Sequence, residues 1–88
     1  MYSVYVLYSP DFTKSYVGCT ANLDIRLASH NQLATSGWTV RFRPWVLVHT
    51  EFFHLKLDAL QREKFLKSGQ GRLLVKSIIQ SWLYQHPS

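Results

Sequence analysis

An α+β fold, with a small three-stranded mixed or antiparallel sheet flanked by about three helices, is what this sequence predicts. Three observations lead there. Two short runs rich in Tyr, Val and Leu surround Ser9-Pro10-Asp11 near the start of the chain. An apolar run from Trp45 to Phe53 supplies a third strand. Stretches of helical period follow Gly18, His54 and Gly69. Strands first and helices mostly after them put the helices over a sheet.

Tyr2 to Tyr8 and Ser15 to Gly18 read as strands, and the Ser-Pro-Asp between them reads as their turn, so the chain begins with a β-hairpin. Symmetric pairing about Pro10 and Asp11 sets Tyr5 opposite Tyr16, both rings on one face. After Gly18 the period changes. Thr20 or Asn22 caps a helix, Asp24 lies in its first turn where the dipole favours a negative charge, and Leu23, Leu27 and Ala28 form its apolar side to about His30. Arg26 and His30 stand four residues apart beside that stripe, next to a sheet carrying two phenols.

The polar run from Asn31 to Gly37 has the composition of a loop. Trp38 to Trp45 interleaves aromatics with Arg41 and Arg43, and Pro44 opens the third strand, whose nearly continuous Val, Leu and Phe content predicts an interior position. A second helix is expected from about Asp58 to Lys67, stopped by Ser68-Gly69. A third follows from about Gly71, with Leu74, Ile78 and Trp82 as its apolar face, flanked by Val75 and Ile79.

The 88 residues allow one domain, spanning residues 1–88, with an adequate core. Ten Lys and Arg oppose five Asp and Glu, and the excess of +5 falls wholly in residues 41–88, since residues 1–40 balance. A basic half suggests a polyanionic partner. Cys19 is the only cysteine, which excludes an intrachain disulfide. With no signal-peptide pattern and no run of membrane-spanning length, the expectation is a cytoplasmic protein without a membrane partner. His49 and His54, five apart on an extended segment, point to opposite faces, and no Cys pair completes a zinc site.

The order Tyr5, Tyr16-Val17-Gly18, Arg26, His30 resembles the GIY-YIG nuclease superfamily. Ser3-Val4-Tyr5 takes the place of the first motif and Tyr16-Val17-Gly18 that of the second. Arg43 to Val48 resembles the family's third strand, and Ala59 to Lys67 its second helix. The likeness covers nearly the whole chain, most closely the small single-domain members, which resemble the N-terminal nuclease domain of the bacterial excinuclease C subunit.

The resemblance implies a metal-dependent endonuclease that hydrolyses DNA phosphodiester bonds, in DNA repair or recombination, on structured or branched DNA. It assigns Glu63 to a single Mg²⁺ or Mn²⁺ ion, an economy consistent with magnesium's habit of keeping waters and taking few protein carboxylates. It makes Tyr16, or else Tyr5, the acceptor of a proton from water, and Arg26 the cation that stabilises charge on the phosphate. Gly18 allows close backbone approach. His30 takes a proton, orients Tyr16 or closes its helix with a cation. Each assignment has a plainer counterpart: tyrosines suit strands, Glu63 can pair with Lys67 four residues on, and Arg26 can face solvent.

Nucleic acid contacts are expected from Lys14, from Arg41 and Arg43 among the aromatics, and from Arg62, Lys64, Lys67, Arg72 and Lys76, which also read as a solvated face. The chain departs from the family at Ser3, where glycine is usual, and at Cys19, where some members have lysine. It also has no asparagine after Asn31, whereas some members place a catalytic one in the last helix. These departures favour an alternative: a nucleic-acid-binding or partner-binding module on the same fold with little or no catalysis. A partner chain or self-association is open in either case.

Overall fold

The computed structural model describes residues 1–87. Its elements are strands β1 (Tyr2–Ser9) and β2 (Lys14–Thr20), helix α1 (Leu23–Ala28), strand β3 (Val46–Phe53) and helices α2 (Lys56–Leu66) and α3 (Gly69–Gln85). A π-helical turn, Ser29–Leu33, continues α1, and a 3₁₀ helix, Trp38–Phe42, precedes β3. The expected α+β architecture is therefore present, with a fully antiparallel sheet in the order β2-β1-β3.

Strand β1 is central, paired along both edges, and both of its faces are covered. Val4 and Val6 point into a cluster with Val17, Ala59, Leu66 and Val75, beneath α2 and α3. Tyr5 and Leu7 point the other way and pack with Trp45, Tyr16, Leu23 and Leu27, under α1 and the 3₁₀ helix. Two-sided burial gives an unbroken apolar strand instead of an alternating one. The same reasoning corrects the position of β3, which is an edge strand. Its apolar run reflects helices over the sheet, not neighbours on both sides.

The hairpin forms, but in a different register. Tyr5 pairs with Gly18 and Leu7 with Tyr16. The connection is the four residues Pro10 to Thr13, with Thr13 at φ 56°, so symmetry about Pro10 and Asp11 is lost. A two-residue shift preserves facing, and both tyrosines still share one face, diagonal to each other. Cys19 lies within β2.

Asn22 is the N-cap of α1, its side chain accepting from the Ile25 amide at 3.2 Å. Helix α3 is turned by about one residue from the expected face. Gly71 and Val75 are its buried positions, whereas Leu74 is 37% exposed. Gly71 lies against the Phe65 carbonyl and the Leu66 backbone of α2, where any Cβ would collide. A glycine adds nothing to an apolar pattern, so the true centre of the face is invisible to periodicity.

Candidate functional site

The site forms around Tyr16, near the outer edge of β2. Tyr5, from the centre of the sheet, is 1% exposed and aims its phenol over Gly18. Its oxygen meets His30 Nε2 at 2.9 Å, and His30 Nδ1 meets the Thr39 hydroxyl at 3.0 Å. A neutral imidazole with its proton on Nδ1 satisfies both contacts: Tyr5 donates to Nε2 and Nδ1–H donates to Thr39. Burial, helped by the positive charges of Arg26 and Arg43, lowers the His30 pKa and keeps the ring neutral. Burial also pushes the Tyr5 phenol up to about 12, against the lowering effect of Arg26.

Tyr16 is half-buried and differently surrounded. Its ring lies 6.3 Å from that of Tyr5, 4.8 Å from His30 and 6.4 Å from Trp38, centroid to centroid. Arg26 is exposed, and both phenols lie near enough to its guanidinium to raise its already high pKa. From the other face of the sheet, Lys67 Nζ lies 5.8 Å over the Tyr16 ring and 3.0 Å from Glu63 Oε2. The Glu63 carboxylate is near enough to raise the pKa of both Tyr5 and Cys19, though in each burial acts more strongly. Arg26 and Lys67 thus both lie close to Tyr16, and Glu63 joins the group through its pairing with Lys67.

Among the described residues, Glu63 is the carboxylate that pairs with Lys67 at this site, and they contain no group of three or more His, Cys, Asp or Glu able to share a metal ion. A divalent ion here would depend on water and substrate oxygens for most of its shell, which suits magnesium better than zinc. It would also have to displace Lys67 from Glu63.

Of the cations expected to meet nucleic acid, two are engaged elsewhere. Arg43 donates to the backbone carbonyls of Ser29, His30 and Ala34, closing the end of the π turn. Arg62 forms a two-point ion pair with Glu51, which holds that carboxyl below its ordinary range, and it also lies 5.4 Å from the Phe65 ring centre. Lys14, Arg41, Lys64, Lys67 and Arg72 are exposed. Sequence reasoning did not find Thr39, whose hydroxyl fixes His30, or Asn31. The Asn31 amide group exchanges two hydrogen bonds with the Trp45 backbone, at 3.0 and 2.6 Å. Neither residue carries a local signal, because each partner lies across the connection between α1 and β3.

A three-stranded antiparallel sheet with two facing tyrosines, an arginine from the following helix and a glutamate from the next defines the GIY-YIG class of domain. Residues 1–74 match the family model described as the GIY-YIG catalytic domain. The chain belongs to the GIY-YIG family, and its relatives are UPF0213 proteins. It is 35% identical to one from Staphylococcus haemolyticus over 75 residues, covering 85% of this chain and 90% of that protein. It is 43% identical to one from Natronomonas pharaonis over 65 residues, covering 74% and 75%, and 38% identical to one from Clostridium perfringens over 64 residues, covering 73% and 68%.

Proposed function

We propose that this protein binds nucleic acid through its backbone phosphates, with the Arg26–Tyr16 centre as the phosphate grip. The observation that carries this is the convergence of two cations, Arg26 and Lys67, on the half-buried Tyr16 phenol, one from each face of the sheet. A guanidinium offers a planar fork of donors to phosphate oxygens, and a phenol adds one more. The neighbouring Tyr5 and His30 act as a rigid neutral backing, since each spends its polar atoms on the other and on Thr39.

Electrophoretic mobility shift with labelled DNA tests it. Binding should fall steeply with salt, and Arg26→Ala should weaken it with the fold intact by circular dichroism. A salt-independent interaction, or one indifferent to Arg26→Ala, removes the phosphate grip.

A second reading, hydrolysis of the bound phosphodiester, is favoured by the nearness of Glu63. The residue that would hold Mg²⁺ or Mn²⁺ is Glu63, and the ion would supply Lewis-acid stabilisation of charge on the phosphate. The chain's own contributions are Arg26, which meets the same charge, and Tyr16 as the proton acceptor. Tyr5 does not suit that role, because a buried phenol at about 12 keeps its proton at neutral pH. Release of labelled fragments in Mg²⁺ or Mn²⁺, lost in Tyr16→Phe, Arg26→Ala and Glu63→Ala, supports hydrolysis. Intact branched, flapped and linear substrates in both metals leave binding alone.

A further inference from the structure

A concavity of about 830 Å³ runs from Tyr16 along the outer edge of β2 and under α3. Its rim carries Lys14, Lys67, Arg72 and Lys76, and no Asp or Glu lines it. Its floor is apolar, made by Val17, Leu66, Val75, Ile79 and Leu83. Arg72 and Lys76 are exposed and join no ion pair among the described residues. They stand one turn apart on α3, about 6 Å along its axis, comparable to the step between successive phosphates of an extended strand. Trp38 stands where the groove meets Tyr16, stacked near-parallel to it at 29° and 47% exposed.

We infer that this groove holds a single nucleic-acid strand, with phosphates on Arg72 and Lys76 and one base on Trp38. This rests on the phosphate grip proposed above, from which the groove departs. Charge selects a polyanion. The apolar floor then selects an unpaired strand, because a duplex hides its base faces in its own stack and turns sugar and phosphate outward. An aromatic surface beside a row of cations takes bases of any identity, so the groove reads strandedness and not sequence.

Fluorescence anisotropy tests this with an oligothymidylate of about 15 nucleotides, a blunt duplex of the same length, and polyglutamate as a competitor. The single strand should bind more tightly than the duplex, and polyglutamate should not displace it. The double variant Arg72→Ala/Lys76→Ala should lower the slope of log affinity against log salt by ~1.4, about 0.7 for each phosphate no longer neutralised. Trp38→Ala should weaken the single strand by roughly five- to 150-fold and the duplex much less.

Equal binding of duplex and single strand, or full affinity in both groove variants while Arg26→Ala weakens it, overturns the groove and leaves the phosphate grip standing. Loss of binding in the groove variants with none in Arg26→Ala does the reverse. Displacement by polyglutamate at matched charge shows a site for acidic polypeptide instead. A wild-type protein that binds none of these nucleic acids overturns both proposals.

Discussion

The phenol of Tyr5 closes directly over Gly18, its cross-strand partner, and there is no room between them for a methyl group. Gly18 needs no unusual backbone angle. It is required because a Cβ would push into the hydroxyl end of a ring that is packed on its remaining sides and bonded to His30. Gly18→Ala should therefore displace the Tyr5 ring, break the bond to His30 and destabilise the fold by about 1–3 kcal/mol, as overpacking of a tight core does. Urea denaturation reads the loss. Tyr5→Ala is itself costly, but in that background Gly18→Ala should cost less than it does alone, a coupling that two independent sites would not show.

Acid should weaken the fold through His30. The folded ring resists protonation, whereas in the unfolded chain it titrates near its ordinary 6.5. Below that pH the unfolded state binds a proton that the native state refuses, so stability rises with pH through this window. The contribution is complete above about 6.5, falls as pH drops below it, and levels off once the folded ring itself protonates. His30→Gln can accept from Tyr5 and donate to Thr39 without titrating, and its melting temperature should lose most of the slope between about pH 5 and 7. The ion pair of Glu51 with Arg62 fails separately, at lower pH, as the carboxyl is titrated below its ordinary 4.5.

Arg41 and Arg43 look interchangeable in sequence and are not. Arg43 donates to three backbone carbonyls at the end of the π turn, while Arg41 is exposed. Arg43→Ala should cost about 2–3 kcal/mol, because partly buried carbonyls lose charged donors. Arg43→Lys should recover only part, since a point charge cannot reproduce the fork. Arg41→Ala should stay within about 0.5 kcal/mol. Thermal denaturation of the three variants decides it, and equal effects at both positions would rule out the clamp.

These differences mark how far the sequence could be read. Strand and helix periods are local, so the hairpin, β3, α2 and α3 were all legible, as was the facing of Tyr5 and Tyr16. The register was not, because it depends on the left-handed turn at Thr13, a conformation no glycine or asparagine announces there. The edge position of β3 was hidden because two covered faces give the same apolar run as two flanking strands. Of the candidate site, Tyr16, Arg26 and Glu63 came from a resemblance, whereas their relation to Lys67 came only with the packing of α2 around the β2 edge. Thr39 and Arg43 act through contacts nine to fourteen residues away, where neither composition nor spacing speaks.

Lys67 has two claims on it. Its ammonium is 3.0 Å from Glu63 and also stands over Tyr16, where a phosphate gripped by Arg26 would lie within its field. The lysine side chain is 51% exposed, so its pairing with Glu63 contributes less than about 1 kcal/mol and yields readily to a better anion. In buffer without divalent metal, Glu63→Gln should therefore bind single-stranded DNA a few-fold more tightly, by removing a like charge and freeing Lys67. Lys67→Ala should bind more weakly and lower the salt slope by ~0.7, the share of a single phosphate. The double variant should bind somewhat more tightly than Lys67→Ala, but by less than Glu63→Gln gains in the wild-type background, because part of that gain acts through the freed ammonium. Adding Mg²⁺ should strengthen binding by the wild-type protein if Glu63 takes the ion beside the phosphate, and this gain should vanish in Glu63→Gln. Unchanged affinity in both single variants would separate Glu63 and Lys67 from the phosphate and confine them to an ordinary surface pair on α2.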